Sequence, residues 1–276
     1  MSAGTLYVVA TPIGNLSDAS PRCLEVLRAA AVVACEDTRT TGALLARYAI
    51  RAKTLALHEH NERAVTAKLI AQLSRGESVA LVSDAGTPAI SDPGAWLVEQ
   101  AHRAGIRVSP VPGPNAAVSA LAASGFPGSA FLFAGFLPAS RAARRKALEA
   151  LEVAWPLVLY EAPHRIAETL EDLALRFGPA REICIARELT KKFEEVARLP
   201  LSEAAGWLAG NPHRRQGEFV IVVGPGQPKP AQAVDATRVL KALLGAMPPS
   251  EAAKLAARIT GLPKSVLYRE ALEHSK

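Results

Sequence analysis

Polar side chains that could do acid–base chemistry follow apolar runs in this sequence. Ser83 and Asp84 come directly after residues 79–82, a partly β-branched run that predicts a strand buried on both faces of a parallel sheet. Ligands of open α/β sheets bind beyond the carboxyl ends of the strands, where Asp84 is expected. Asp92 stands before Pro93 in the position of an N-cap, so we interpret it as the start of a helix.

Other predicted strands end in the same way. Polar groups at 11–16, 36–40 and 160–164 follow apolar runs and can converge on one cleft. His58 and His60, with two neighbouring glutamates, are of residue types that bind metal ions. Alternate residues share a direction only while a strand continues, so a polar loop is the preferred interpretation and no metal is expected.

The elements that must position these groups alternate strand and helix, which indicates a parallel sheet and the α/β class. Three prolines in residues 110–114 predict a stiff linker, and proline, glycine and glutamine between 224 and 233 predict a second one. We therefore expect an N-terminal α/β domain at 1–112, a C-terminal α/β domain at 113–225, and a linker with a small helical tail at 226–276.

Composition restricts the class of protein. With 276 residues, 49% of them hydrophobic, the chain can bury a sizeable core, and its three cysteines lack metal-type spacing. Buried thiols and a reducing cytoplasm are expected, with no signal peptide and no membrane span. There is no P-loop, GxGxxG fingerprint, zinc set or G-x-S-x-G elbow. The net charge of +6 favours a polyanionic partner without proving one.

Two helix starts carry alternative interpretations. Asn115 is predicted to cap an alanine-rich helix over 116–124, whose N-terminus allows either tight packing or a ligand. A second predicted helix opens with basic residues, which oppose its macrodipole, so we interpret them as contacts to RNA phosphates, with a solvated basic face as the alternative. The expected RNA contacts are Arg141, Arg144, Arg145, Lys146, Lys191 and Lys192.

The tail is predicted to hold two short amphipathic helices, 250–259 and 263–272, joined at Gly261. These proportions match a helix-turn-helix, but a structural or RNA-proximal role is favoured over DNA readout. The apolar side is predicted to carry Leu255, Ile259, Leu262, Val266 and Leu267.

Five segments together resemble the ribosomal RNA small-subunit methyltransferase I family: ATPIGNL at 10–16, EDTR at 36–39, SDAGTP at 83–88, PGPNA at 112–116 and YEAPHR at 160–165. The resemblance implies two α/β domains of tetrapyrrole-methylase type with S-adenosylmethionine in the cleft between them, and a homodimer. It also implies 2′-O-methylation of a cytidine in the decoding region of 16S rRNA, one that is also methylated at N4. By position, the expected cofactor contacts are Pro12, Ile13, Gly14, Ser83, Asp84, Ala85, Gly86, Pro88, Asn115, Ala116, Ala117 and Tyr160.

Methyl transfer needs the sulfonium, the methyl carbon and the attacking oxygen nearly in line, so positioning supplies much of the catalysis. A protein base helps to remove the hydroxyl proton, and Glu36, Asp37 and Glu161 are the expected catalytic carboxylates, with His164 also of a suitable type. Arg39 would orient a phosphate or the ribose. A carboxylate–arginine pair that only holds a loop is the alternative for the Glu36–Arg39 cluster.

Two other functions are compatible with the sequence. A tetrapyrrole or other small-molecule methyltransferase is one, although the basic cluster at 141–146 and a first loop that is not glycine-rich argue against it. A non-catalytic RNA-binding or ribosome-assembly factor is the other, and the intact Asp84 loop argues against that.

Overall fold

A computed structural model describes residues 3–151, 154–226 and 236–273. The chain forms two compact units, Met1–Pro225 and Gly226–Lys276. Most of the predicted second linker falls in 227–235 and lies outside the described residues. Among the described helices, none combines the length and apolar composition that crossing a membrane requires.

The first sheet is parallel throughout, as the strand–helix alternation predicts, and its strand order is β3-β2-β4-β1-β5. Its strands are β1 (Thr5–Val9), β2 (Val32–Cys35), β3 (Thr54–Ala56), β4 (Val79–Leu81) and β5 (Arg107–Val111). Its helices are α1 (Pro21–Ala29), α2 (Thr38–Arg47), α3 (Glu62–Ser74) and α4 (Ala95–Arg103), with a 3-10 turn at Leu16–Asp18.

Helices cover both faces of this sheet, which explains the continuous apolar character of β4. Val79 and Leu81 pack into the cluster formed with α3 and α4, whereas Ala80 and Val82 pack into the cluster formed with α1 and α2. Successive side chains of a strand point to opposite faces, so every residue of β4 is buried. The strand therefore ends where residue 84 first reaches solvent.

The second sheet has the order β6-β7-β10-β8-β9 and is mixed, with only β6 and β7 parallel. Its strands are β6 (Leu132–Phe136), β7 (Leu157–Glu161), β8 (Glu182–Arg187), β9 (Glu195–Pro200) and β10 (Phe219–Val223). Its helices are α5 (Ala116–Ser124), α6 (Arg141–Ala150), α7 (Ile166–Phe177) and α8 (Leu201–Ala209), with a 3-10 turn at Pro212–Arg215. Because β10 runs antiparallel, its first residues lie at the same edge as the last residues of β7 and β8.

The alanines of α5 do provide close packing. Ala117 and Ala120 are buried against Val158, Cys184 and Val220 of the second sheet. The Asn115 side chain accepts a hydrogen bond from the Val118 backbone N–H, and the helix ends at a left-handed Gly125, as predicted.

The thiols of Cys23, Cys35 and Cys184 are free and buried, which confirms their prediction as buried thiols. Burial raises the pKa of Cys23 to about 11, so this thiol stays protonated and unreactive at neutral pH.

The tail unit contains α9 (Ala236–Leu244), α10 (Pro249–Thr260) and α11 (Lys264–Glu273). Its core consists of Leu240, Ala252, Ala253, Ala256, Leu267 and Ala271. The predicted apolar side was wrong for Leu255, Ile259, Leu262 and Val266, which are exposed, and right for Leu267. The physical reason is α9, whose buried Leu240 packs against the small alanine side chains of α10 and α11, so the alanine face of α10 turns inward and Leu255 and Ile259 turn outward.

Candidate active site

Three of the four predicted strand ends, those at 11–16, 83–90 and 160–164, meet at a cavity of about 300 Å³, which we call the cleft cavity. Residues after β1 and β4 form one wall, and the start of α5 with the edge of the second sheet forms the rest. Its lining is mostly apolar, with a few carboxyl, hydroxyl and amide groups. The lining residues are Ile13, Ala85, Gly86, Thr87, Ile90, Ser91, Asp92, Asn115, Ala116, Phe136, Tyr160, Glu161, Ala162, Pro163, Ala186, Leu189, Glu218, Phe219 and Val220.

The loop after β4 is fixed against the loop after β1. Thr11 and Gly86 exchange backbone hydrogen bonds of 2.8 and 3.1 Å, and Thr11 Oγ1 donates to the Ser83 carbonyl. Gly86 has φ +80°, and a Cβ there would lie 3.3 Å from the Ile13 side chain. Only glycine meets both conditions without strain, so the backbone of residue 86 can form the cavity wall.

Part of the predicted cofactor set lines the cavity and part supports it from outside. Ile13, Ala85, Gly86, Asn115, Ala116 and Tyr160 are lining residues, whereas Pro12, Gly14, Ser83, Asp84, Pro88 and Ala117 are not. Ser83 is buried and donates to carbonyls of its own loop. Gly14 packs against Lys191, whose side chain would clash with a Cβ at residue 14.

Asp84 and Asp37 form a structural pair with the start of α2. Asp84 Oδ1 accepts the Asp37 backbone N–H at 3.0 Å, and Asp37 caps α2 and binds the exposed Arg39 guanidinium. Hydrogen bonds from Arg39 lower the pKa of Asp37 to about 2, which makes this carboxylate a weak proton acceptor. These contacts match the loop-holding alternative for Asp37 and Arg39.

The pKa of Glu36 is shifted in the opposite direction from the pKa of Asp37. Partial burial raises the pKa of Glu36, and the nearby charges of Asp92, Asp84 and Asp37 raise it further. A carboxylate with a raised pKa is the stronger proton acceptor of the two. Glu36 does not itself line the cleft cavity.

Asp92 was assigned wrongly as a helix cap. The N-cap of α4 is Gly94, at φ +124°, and its backbone N–H donates to Glu62 Oε1 at 2.8 Å. The helix therefore starts at Ala95, and Asp92 turns into the cleft cavity instead. Burial raises the pKa of Asp92, a hydrogen bond with Ser83 opposes this rise, and Asp84 adds to it. A second Ser-Asp pair eight residues after the first was the only sequence signal for this residue.

Tyr160 lines the cavity and is hydrogen-bonded to the backbone at the N-terminus of α5. Its ring lies 5.1 Å from the Phe133 ring and 5.5 Å from the Phe136 ring. Burial raises the pKa of Tyr160, a hydrogen bond with the Ala117 backbone lowers it, and the charge of Asp92 raises it. The phenol thus stays protonated beside the Asp92 carboxylate.

Glu161, expected to be catalytic, is held by side chains and backbone of the residues that follow it along the chain. Its carboxylate accepts from Thr169 Oγ1 at 2.5 Å and from the Ala162 N–H at 2.8 Å, and pairs with Arg165 at 3.2 Å. It is almost fully buried. With both oxygens engaged, Glu161 anchors the turn after β7, and we remove it from the catalytic candidates. His164 is exposed and lies outside the cavity lining.

The basic cluster on α6 surrounds a buried carboxylate of α7. Asp172 accepts from Arg141, Arg144 and Arg145 at 3.2, 2.7 and 2.7 Å. Burial disfavours the charge of Asp172, but these hydrogen bonds outweigh it and lower the pKa. The RNA assignment was wrong for Arg144, because its side chain is fully buried.

The other predicted RNA contacts retain exposed surface to different degrees. Arg141 and Arg145 are about half exposed, and Lys146 is exposed. Lys191 pairs with Glu188 and with Glu218, a lining residue of the cavity. Lys191 is therefore engaged in two ion pairs beside the cleft cavity, while Lys192 lies 5.5 Å from the Phe193 ring.

Within the described residues, no group of His, Cys, Asp and Glu side chains has an arrangement that could hold a metal ion. His58 and His60 stack edge to face at 6.0 Å, and the Glu62 carboxylate is bound to the α4 N-terminus.

Comparison with known proteins places the chain among methyltransferases. A model of the tetrapyrrole (corrin/porphyrin) methylases matches residues 5–205, and a model of the RsmI C-terminal HTH domain matches 230–275. Ribosomal RNA small subunit methyltransferase I of Pseudomonas aeruginosa is 50% identical over 99% of this chain and 98% of that protein. The protein of the same name from Escherichia coli O157:H7 is 47% identical over 99% and 96%.

Solved structures agree with this placement. Uroporphyrin-III-C-methyltransferase from Thermus thermophilus has a TM-score of 0.58 and 26% identity, over 80% of this chain and 94% of that one. A structure of that enzyme complexed with S-adenosyl homocysteine has a TM-score of 0.53 and 18% identity, over 80% and 97%, and indicates a shared fold.

Proposed function

The chain belongs to the ribosomal RNA small-subunit methyltransferase I family, within the tetrapyrrole methylases, and we propose that it methylates a cytidine of 16S rRNA at the ribose 2′-oxygen. Family membership makes it an enzyme that uses S-adenosylmethionine and acts on small-subunit rRNA. The observation that carries the finer proposal is the cleft cavity, where predicted cofactor residues stand beside a half-buried carboxylate. The decoding region is the proposed location of the cytidine.

The cavity has the chemistry that S-adenosylmethionine requires. Apolar walls from Ile13, Leu189 and Val220 suit the adenine and thioether parts, and the N-terminus of α5 offers backbone amides to a carboxylate. Bound there, S-adenosylmethionine supplies an activated methyl group. The protein's part is to bind, orient and exclude water from the reacting oxygen.

We propose that Asp92, with Glu36 near it, receives the proton of the ribose hydroxyl. Asp92 is the half-buried carboxylate of the cavity wall that has a raised pKa, and its ionised form can hydrogen-bond a hydroxyl. Glu36 is close enough to interact electrostatically with Asp92, so the two share this charge environment. The low pKa of Asp37 makes it the weaker candidate.

RNA phosphates are proposed to contact the remaining exposed cations. Lys146, Lys192 and the exposed parts of Arg141 and Arg145 are available, and the net charge of +6 favours association with RNA. We further propose that the protein is cytoplasmic and homodimeric and that its domain boundaries lie at residues 112 and 225. The free, buried cysteines support a reducing compartment.

Labelled S-adenosylmethionine and small ribosomal subunits from cells lacking the modification test this function. Digestion of the rRNA to nucleosides should place the label in 2′-O-methylcytidine. Cofactor binding without transfer would overturn the proposal, and transfer to a tetrapyrrole but not to subunits would favour the small-molecule alternative.

A further inference from the structure

A second hollow, of about 360 Å³, adjoins the cleft cavity and shares Ile90, Ser91 and Phe136 with it. Its remaining walls are Phe133, Ala134 and Gly135 of strand β6. We call it the β6 hollow. No charged side chain contributes to its lining, so its chemistry fits a neutral, flat group better than a phosphate.

Large apolar side chains stand exposed around this hollow. Phe136 is 58% exposed and Ile90 is 52% exposed, although aromatic residues make up only 5% of the chain. The Phe136 ring is tilted by 60° against Tyr160, which in turn meets Phe133 edge to face. Tyr160 lines the cleft cavity, Phe133 lines the β6 hollow, and the exposed Phe136 lines both spaces.

The backbone of β6 is bent at this point. Its register with β7 shifts between Phe133 and Gly135, where Gly135 has φ +59°. A Cβ at residue 135 would lie 3.3 Å from Ser91 Oγ, so glycine allows the strand to approach the loop after β4. β-Bulges re-aim side chains next to active sites, and this one places Phe136 at the rim shared by both spaces.

We propose that the β6 hollow binds the unstacked base of the nucleotide whose ribose is methylated, with the base stacked on Phe136. The inference rests on the proposed function. Proteins that recognise single-stranded RNA hold unstacked bases on aromatic rings, and a nucleotide whose ribose enters the cleft cavity would bring its base to the rim of that cavity. The base is joined directly to the ribose, so its site must adjoin the cleft cavity, as this hollow does. The Ser91 hydroxyl supplies a hydrogen-bonding group for the base edge.

Substitutions of Phe136 in the full chain test this site. Phe136→Ala should raise the KM for unmodified small subunits, or lower kcat/KM, by about tenfold or more, which is the effect of losing one aromatic stack. Phe136→Tyr should keep the wild-type rate. Phe136→Leu keeps apolar bulk without a π-face and should behave like the alanine variant. Phe131→Ala removes a 43% exposed phenylalanine of the same segment, outside both spaces, and should have no effect.

Calorimetric affinity for S-adenosylmethionine, without RNA, separates the base site from the cofactor site. Phe136 stands at the rim shared by both spaces, so we expect Phe136→Ala to lower cofactor affinity by a much smaller factor than it lowers methyl transfer. If Phe136→Ala weakens cofactor affinity as much as it lowers transfer, or if Phe136→Leu matches the wild type, base stacking at Phe136 is wrong. If the wild type methylates subunits and Phe136→Ala equals Phe131→Ala, the base site fails while the function stands. If the wild type transfers no methyl group to subunits, both fail.

Discussion

Asp92 shows how burial and neighbouring charge can prepare a carboxylate for proton transfer. It lies in the cavity wall and interacts with the Ser83 side chain through a hydrogen bond. Asp84, Glu36 and the Tyr160 phenol are close enough to interact with it electrostatically. Burial and the charge of Asp84 raise its pKa against the opposing Ser83 hydrogen bond, so its proton affinity is higher than that of the arginine-bound Asp37. The acid limb of the methylation rate should therefore lie above the ordinary aspartate range.

Asp92→Asn is expected to lower kcat by about a hundredfold, because a general base contributes on the order of 10²–10⁴. The amide keeps a partner for Ser83 but accepts no proton. Initial rates with labelled cofactor and unmodified subunits measure the loss, and Asp18→Asn, an exposed aspartate, is the matched control. A variant with the wild-type rate would remove Asp92 from the mechanism.

Asp92→Asn should also change how the stability of the folded protein depends on pH, in a direction that the raised pKa determines. A pKa raised by folding means that ionised Asp92 destabilises the native state as pH rises through the aspartate range. Asp92→Asn should unfold like the wild type in acid and be equally or more stable at neutral pH. Denaturant unfolding against pH checks this, and a lower neutral stability would assign Asp92 a structural role.

At the scale of elements, the ion cluster between α6 and α7 joins two neighbouring helices associated with the second sheet. Arg144 and Asp172 are both fully buried, and Arg141 and Arg145 complete the shell of donors around the carboxylate. Basic residues at a helix N-terminus, which oppose the macrodipole, are stabilised here by a carboxylate of the next helix. The ion pairs between the two helices therefore account for the basic character of Arg141, Arg144 and Arg145 without any RNA contact.

Asp172→Asn should destabilise the protein by about 3 kcal/mol at neutral pH, because it leaves the buried Arg144 cation without its main partner. The lowered pKa of Asp172 means that the wild-type advantage is present above the ordinary aspartate pKa and fades as pH falls through the lowered value. Urea unfolding against pH measures the difference.

Glu99→Gln, which breaks the exposed pair with Arg103, is the control for Asp172→Asn and should cost less than about 1 kcal/mol. Equal losses from the two variants would contradict a structural role for the α6–α7 cluster.

For the whole molecule, each unit has its own apolar core. Residues up to Pro225 contain the clusters of both sheets and the cleft cavity, while α9, α10 and α11 bury a small alanine-rich core of their own. Since the cavity is lined entirely by the first unit, cofactor binding should not depend on the tail.

A fragment ending at Pro225 should unfold cooperatively and bind S-adenosylmethionine with a Kd within about twofold of the full chain, because no lining residue is removed. Circular dichroism on heating and calorimetric titration, each compared with the full chain, provide the measurements. Loss of cofactor affinity in a folded fragment would show that the tail supports the cavity.

Local sequence pattern was enough to predict most elements of the first sheet and the loops at their ends. The apolar run at 79–82, the helix start at Asn115 and the end of that helix after residue 124 depend on contacts within a few residues, so local sequence patterns reveal them. The motifs at these loops resemble those of the methyltransferase family, so the sequence alone was enough to indicate the methyltransferase class.

Tertiary structure decided which of the polar groups share a site. Asp172 lies 31 residues from Arg141, and the Glu62 carboxylate reaches Gly94 across 32 residues, so neither partner is visible in a local window. These long-range contacts placed Arg144 of the predicted RNA cluster in a buried ion pair between two helices and moved Asp92 from its predicted cap position to the cavity wall. Chemistry-bearing residue types and strand ends were determined by sequence alone, because they follow local periodicity. Their partners, burial and proton affinity were decided by the fold, because those properties depend on distant atoms.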